Sequence, residues 1–347
     1  MSKMFQPLAL KGHIVKNRFV LPPGVRFDTS ITSGVVNDAT VLHYKQAAQA
    51  GFGTIIVEAN AVSEGGRITP TQLGIWDDSF IEGLARLPAA IHSEGALALV
   101  QLVYSGVKTQ VAGQDIVAPS VYTYEENTSR ALSTEEISAI TQQFIAAGLR
   151  AKQAGFDGVE LHGCHAYLIN QFLSPTINKR EDAYGQDRAK FALDILTGLR
   201  QAVGNDFIIS VRMPGNDPDI TTCISHAKRF QTAGADILHV SAGFTQGIPT
   251  DLGYKPNEHY NWIVATAIEI KKHVDIPVIA VNGIRTPDQA AHILDTQSID
   301  MVAIFKAYLC DPAWIEKART GQPISPKCVS CQPRCLRFTG INNCIFT

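Results

Sequence analysis

An excess of charge of either sign is what this 347-residue chain lacks: 30 Lys and Arg stand against 32 Asp and Glu, a formal charge of −2. No Lys/Arg run interrupts that balance, which argues against nucleic acid and anionic membranes as partners. No stretch approaches the roughly 18 consecutive apolar residues of a membrane span. The opening MSKMFQPLALKGHIVKNRF is too polar for the apolar centre of a secretory signal. A cytoplasmic location without a membrane partner is therefore expected. Low-complexity segments and an obvious interdomain linker are missing too. Cysteine is sparse through the body, at Cys164, Cys223 and Cys310, and then crowds into the tail at Cys328, Cys331, Cys335 and Cys344.

What is present is a hydrophobic fraction of 45%, enough for a large core. A recurring phrase organises it, in which a helix ends at Ala-Gly and an apolar run follows. It reads AQAGFGTIIVE from Ala48, AKQAGFDGVELH from Ala151 and FQTAGADILHVS from Phe230. Gly51, Gly155 and Gly234 supply the left-handed residue that stops each helix. The runs after them are apolar on both faces, as buried parallel strands are. Eight such runs occur: Asn17–Leu21, Thr54–Glu58, Ala96–Leu102, Gly158–His162, Phe207–Arg212, Ile237–Ser241, Pro277–Val281 and Met301–Ile304. Helical patterns separate them, the clearest over Thr134–Ala154. Ser133 with Glu136 forms a capping box at its start, and Thr286-Pro287-Asp288-Gln289 forms another. Eight strands alternating with helices predict an α/β fold, a single (β/α)8 TIM barrel. A dinucleotide-binding sheet would need GxGxxG after its first strand, and Leu21-Pro22-Pro23-Gly24 is not that turn. The connection from Tyr104 to Arg130 is expected to arch over the barrel mouth.

Barrel enzymes carry their chemistry at the C-terminal ends of the strands. Those positions hold Glu58, Gln101, His162 with His165, Arg212, Ser241, Asn282 and Lys306, too many polar side chains for packing alone. His162-Gly163-Cys164-His165-Ala166-Tyr167 is the densest cluster. Two imidazoles can hydrogen-bond one oxygen while a phenol, with a pKa near 10, protonates a neighbouring atom. A metal reading needs further ligands, and two core histidines with satisfied bonds are the plainer alternative. Arg212 calls for an anion or an electron-rich ring such as an isoalloxazine, with a structural salt bridge as its alternative. Gln101 offers a donor and an acceptor to such a ring edge. The loops starting at Gly283 and Lys306 stand where barrels commonly hold a phosphate.

The stretch VELHGCHAYLINQFLSPTINKREDAYG resembles the hallmark segment of the Old Yellow Enzyme family of FMN-dependent ene-reductases. The likeness runs through KNRFVLPP, IIVEANAV, GRI, GIWDD, QLVYSG, SVRMPG, the NGI turn and Asp311-Pro312, covering residues 5 to 320 in order. GRI and GIWDD look closest to the bacterial, thermophilic-like branch. The resemblance implies that NADPH or NADH reduces FMN and that an electrophilic alkene then takes the same place. It implies His162 and His165 as the oxygen-binding pair and Tyr167 as proton donor. For FMN it implies Pro22, Pro23, Gly24, Val25, Ala59, Gln101 and Arg212, with Phe305 and Lys306 at the phosphate loop. The chain departs from the family at Val25, where that branch carries cysteine, and at Phe27, where a substrate-contacting tyrosine is usual. It departs again at Phe305-Lys306, where Gly-Arg is usual. Phenylalanine does not take glycine's backbone angles cheaply, so a displaced loop and a weaker hold on FMN are expected.

Cys328-x2-Cys331-x3-Cys335-x8-Cys344 resembles the iron–sulfur segment of longer relatives of the dienoyl-CoA reductase type. Its last gap is shorter than theirs, and no second flavin domain follows before Thr347. The expectation is a barrel over residues 1–322 and a metal-free tail over 323–347, with a 4Fe-4S cluster or zinc as alternatives. The leading functional expectation is an FMN-dependent NAD(P)H oxidoreductase acting on activated C=C bonds, assembled as a homo-oligomer. The alternatives are an NADH oxidase, a specialised-metabolite oxidoreductase, or a degenerate barrel serving as a binding module.

Overall fold

The computed structural model describes residues 2–25, 34–245, 247–325, 328–329 and 331. The eight expected runs all form parallel strands: β1 (Phe19–Leu21), β2 (Thr54–Ala61), β3 (Leu97–Val103), β4 (Gly158–His162), β5 (Ile208–Pro214), β6 (Ile237–Ser241), β7 (Val278–Val281) and β8 (Met301–Ala303). Each pairs with the next in chain order, and β8 pairs with β1 to close the (β/α)8 barrel. Eight helices follow the strands around the outside: α1 (Asp38–Gln49), α2 (Ile81–His92), α3 (Thr134–Gln153), α4 (Lys190–Val203), α5 (Ile220–Thr232), α6 (Trp262–Lys271), α7 (Pro287–Thr296) and α8 (Trp314–Thr320). Among the described residues no helix is long and apolar enough to cross a membrane.

The start and stop signals act as their chemistry requires. Ser133 accepts from the Glu136 N–H at 3.2 Å, and the Glu136 carboxylate accepts from the Ser133 N–H at 2.8 Å. Thr286 and Gln289 form the same reciprocal pair on α7, with Pro287 in the first turn. Gly51, Gly155 and Gly234 close α1, α3 and α5 at φ of 99°, 87° and 105°. Ile137, Ile140, Phe144 and Ala151 bury one face of α3.

The N-terminal end of the barrel is sealed by a hairpin that the sequence patterns did not disclose. Leu8–Leu10 pairs antiparallel with His13–Val15. Its two-residue turn, Lys11 and Gly12, has φ of 48° and 82°, the left-handed pair that matches strand twist. Leu10 and Val15 pack with Val20, Ile56, Leu99, Ile208, Ile237, Ile279 and Met301 inside the barrel. Chemistry is thus confined to the opposite mouth. The connection after β3 lies at that mouth, as expected: Lys108 reaches the His165 carbonyl at 3.2 Å, and Tyr122 meets Phe244 edge to face.

Ser133→Ala removes one half of the α3 box and is expected to cost about 1 kcal/mol. Urea denaturation should show a lower midpoint with an unchanged slope.

Candidate active site

Strand parity builds the floor. On β4, β5 and β6 two polar residues at i and i+2 face inward toward the C-terminal end of each strand: Glu160 and His162, Ser210 and Arg212, His239 and Ser241. Glu160 is fully buried and accepts from Gln101 Nε2 at 2.9 Å and from Ser210 Oγ at 3.1 Å. It also bonds His239 Nδ1 at 2.8 Å. Burial works to raise the Glu160 pKa, but His239, Arg212 and Ser210 outweigh it and hold the carboxyl below its ordinary range. Arg212, one layer above, is 7% exposed. Its guanidinium makes no hydrogen bond or ion pair with the described residues, and its buried Nε has no partner. The salt-bridge alternative for Arg212 is therefore not what the described residues provide.

The loop after β4 arranges the rings. His165 and Ala166 are both left-handed, at φ of 59° and 62°, a conformation costing L-residues on the order of 1 kcal/mol each. Hydrogen bonds offset that strain: His165 N to Ala242 O at 3.1 Å, Ala166 N to Asn170 Oδ1 at 2.8 Å, and Gln171 Nε2 to Ala166 O at 2.7 Å. The turn sets the His162 ring centroid 5.2 Å from that of His165 and 4.6 Å from that of Tyr167. Ser241 Oγ lies 2.8 Å from His165 Nε2. Burial, then the neighbouring imidazole, Arg212 and Lys108, pull the His162 pKa well below 6.5. Burial, Arg212 and Lys108 do the same to His165, so both imidazoles are neutral at physiological pH. Burial pushes the Tyr167 phenol up to about 12, so it keeps its proton there.

A cavity of about 340 Å³ opens beside this cluster. Pro22, Pro23 and Gly24 line it from the end of β1, His165, Arg212 and Ser241 from the middle strands, Asn282 and Gly283 from β7, and Phe305 and Lys306 from β8. Val25 and Ala59 stand off that wall, in an apolar group with Tyr167, Ile68 and Val103. Gln101 is tied to Glu160 beneath. Phe27, Cys335 and Cys344 lie outside the described residues, and of the tail set Cys328 and Cys331 are half-buried.

Two expectations are corrected. Glu58 does not join the site: a register shift between Val57 and Asn60 breaks the alternation of β2, and Glu58 meets Tyr44 of α1 behind the barrel. Phe305 carries no glycine-like strain, because its φ is −122°. Its ring lies against Gly24, where an added Cβ would come within 2.4 Å of it, so the missing side chain at Gly24 makes the room that Phe305 takes.

His162, Cys164 and His165 bring ligand atoms within 4.8 Å of one another. Their field opposes a cation, since Arg212 and Lys108 both act on them, and burial pushes the Cys164 thiol up to about 12. The cluster is suited to an electron-rich oxygen. The sequence reading assigned no site role to Glu160, which it expected on the opposite face, or to Ser210, His239 and Lys108. The first three were signalled by polar residues at i and i+2 on three successive strands; Lys108 had no local signal.

The whole arrangement fits a barrel oxidoreductase that works over a flat, electron-rich cofactor. Residues 3–324 match the model of the NADH:flavin oxidoreductase / NADH oxidase family, and the chain belongs to that family. It is 37% identical over 338 residues to an NADH oxidase of Thermoanaerobacter brockii, covering 93% of this chain and 52% of that one, so it spans about half of that relative. It is 34% identical over 327 residues to an NADPH dehydrogenase of Halalkalibacterium halodurans, covering 91% and 94% of the two chains. The fold matches an Old Yellow Enzyme homologue from Zymomonas mobilis with a TM-score of 0.79 at 26% identity, over 93% of this chain and 94% of that one. The chain is thus an NAD(P)H:flavin oxidoreductase, which sets aside the non-catalytic binding module.

The lowered histidine pKa values carry a stability consequence. His226, away from the site, is pulled from 6.5 to about 4, mainly by burial. A buried imidazole with a depressed pKa contributes stability that is complete above its unfolded value and lost as pH falls below it. Urea midpoints should fall between pH 6.5 and 4, and His226→Gln should flatten part of that slope.

Proposed function

We propose that this oxidoreductase reduces activated C=C bonds of small electrophilic alkenes, with NADPH or NADH as donor. The observation that supports it most is the buried Arg212 guanidinium, whose Nε has no partner among the described residues and which lines the cavity beside the histidine pair. A buried cation without an anion is strongly unfavourable unless a ligand supplies the missing acceptor. FMN has such acceptors on its ring edge, and when bound it supplies a hydride for one alkene carbon. Pro22, Pro23, Gly24, Val25, Ala59, Gln101 and Arg212 would hold its ring side, and Gly283, Phe305 and Lys306 its phosphate side. Lys306 keeps a positive charge there but donates from one point, without an arginine's fork.

His162 and His165 take the substrate's electron-withdrawing oxygen. Ser241 Oγ bonds His165 Nε2, and with the hydroxyl as donor the proton of that imidazole sits on Nδ1. Neutral donors in a dry site strengthen as negative charge builds on that oxygen. Tyr167, protonated at every working pH by its raised pKa, delivers its proton to the second alkene carbon. The barrel, residues 1–322, suffices for this chemistry, and the tail, 323–347, is metal-free; GRI and GIWDD favour the bacterial, thermophilic-like branch. An NADH oxidase is the second reading, supported by the name of the Thermoanaerobacter brockii relative.

Purified protein should be yellow, bleach with NADPH or NADH without oxygen, and regain its colour with 2-cyclohexenone. Recovery with oxygen but not with the enone would favour the oxidase. Tyr167→Phe should slow the enone half-reaction by about 10²-fold or more, measured by stopped flow, while bleaching by NADPH changes little.

A further inference from the structure

Lys108 occupies the rim of the mouth and, beyond helping to keep the histidines neutral, has no part in the reaction proposed above. It closes a short turn, Gly106–Lys108, whose position is fixed by its neighbours. Asn127, in the hairpin Thr123–Tyr124 and Asn127–Thr128, donates to Val107 O at 2.9 Å and to Thr109 O at 2.7 Å, clamping the residues on either side. The ammonium donates to His165 O at 3.2 Å and stands 5.4 Å from the Tyr124 ring centroid and 5.3 Å from that of Tyr167. It makes no ion pair with the described residues. Glu125, at the exposed turn of the hairpin, acts on it from beyond contact.

This arrangement is costly without a ligand. Burial lowers the Lys108 pKa, and rings and a carbonyl are weaker partners for an ammonium than a carboxylate. The charges acting on the histidine pair have one sign: Arg212 and Lys108 are cations, and His162 and His165 themselves are neutral. The walls are flat and apolar, with Phe244 edge-on to Tyr122 and Tyr124 at 5.8 and 6.2 Å.

We propose that Lys108 binds a carboxylate on the substrate, so that the preferred substrates are activated alkenes bearing an acid group beside the conjugated carbonyl. The inference rests on the ene-reductase reading: His162 and His165 hold the carbonyl oxygen, and Lys108 selects the acid.

The test uses the FMN-loaded protein and two matched pairs. One pair is turned over, trans-4-oxo-2-pentenoate and its methyl ester; the other is only bound, 4-hydroxybenzoate and its methyl ester, by calorimetry. The readout is the acid-to-ester ratio of kcat/KM and of affinity, in which a general loss of packing cancels. Lys108→Met should lower both ratios roughly tenfold or more, as expected for losing a hydrogen bond to a charged group. Lys108→Arg should keep them within about threefold, since the charge and a donor survive. Equal ratios in wild type and Lys108→Met overturn the proposal. If neither alkene is reduced, the ene-reductase reading fails, and the binding ratio still decides the role of Lys108.

Discussion

A guanidinium held inside a barrel must meet negative charge or electron density, and the rest of this site is arranged around that demand. Arg212 stands near the C-terminal end of β5, in register with His162 on β4 and His239 on β6. The carboxylate that acts on it, Glu160, is one layer lower and already accepts from Gln101 and Ser210 and bonds His239. That layer balances the charge of the floor through space without occupying the hydrogen-bonding groups of Arg212. The guanidinium is left available at the cavity wall. A salt bridge there would have made a more stable barrel and closed the site.

The second constraint is the strained loop that turns back over Arg212. Two consecutive left-handed residues aim His165 and Tyr167 at one point, and no local preference favours that path for His165-Ala166. The support is remote. Asn170 holds Ala166 N through its oxygen and donates from its nitrogen to Asp217 at 2.9 Å. Asp217 also accepts from Ser174 at 3.0 Å, Phe244 N at 3.0 Å and Thr245 at 2.8 Å. One buried carboxylate thus ties the segment after β4 to the segment after β6, so the histidine pair and the aromatic wall share a foundation. Rigid support of this kind keeps donors aimed where charge develops.

The barrel was legible because its signals are local and repeated. A helix stop at Gly51, Gly155 or Gly234 and the apolar run after it can be read within a dozen residues. His162, His165, Tyr167 and Arg212 were legible as polar residues ending such runs. Glu58 misled because strand parity is inferred by counting, and an irregularity between Val57 and Asn60 resets the count without marking itself. Phe305 misled for a different reason. A substitution was weighed against the backbone of its own position, whereas the space it needs comes from Gly24, more than two hundred residues earlier. Lys108 was illegible because its meaning depends on a hairpin, two rings and a carbonyl gathered from two connections.

The field of the mouth decides what the histidines can do. Burial first, and then two cations, Arg212 below and Lys108 at the rim, keep His162 and His165 unprotonated in a place where protonation would bring three or four positive charges together. Neutral imidazoles bind a carbonyl oxygen more weakly than imidazoliums would, but they do not hand that oxygen a proton. In the proposed reaction, charge that builds there stays on the conjugated system, and the proton has to arrive at carbon. Tyr167, whose phenol is held protonated by burial, stands beside His162, where the proposed reaction needs that proton. The proposed division between oxygen binding and proton delivery therefore follows from burial, reinforced by the two cations, more than from the intrinsic chemistry of histidine and tyrosine.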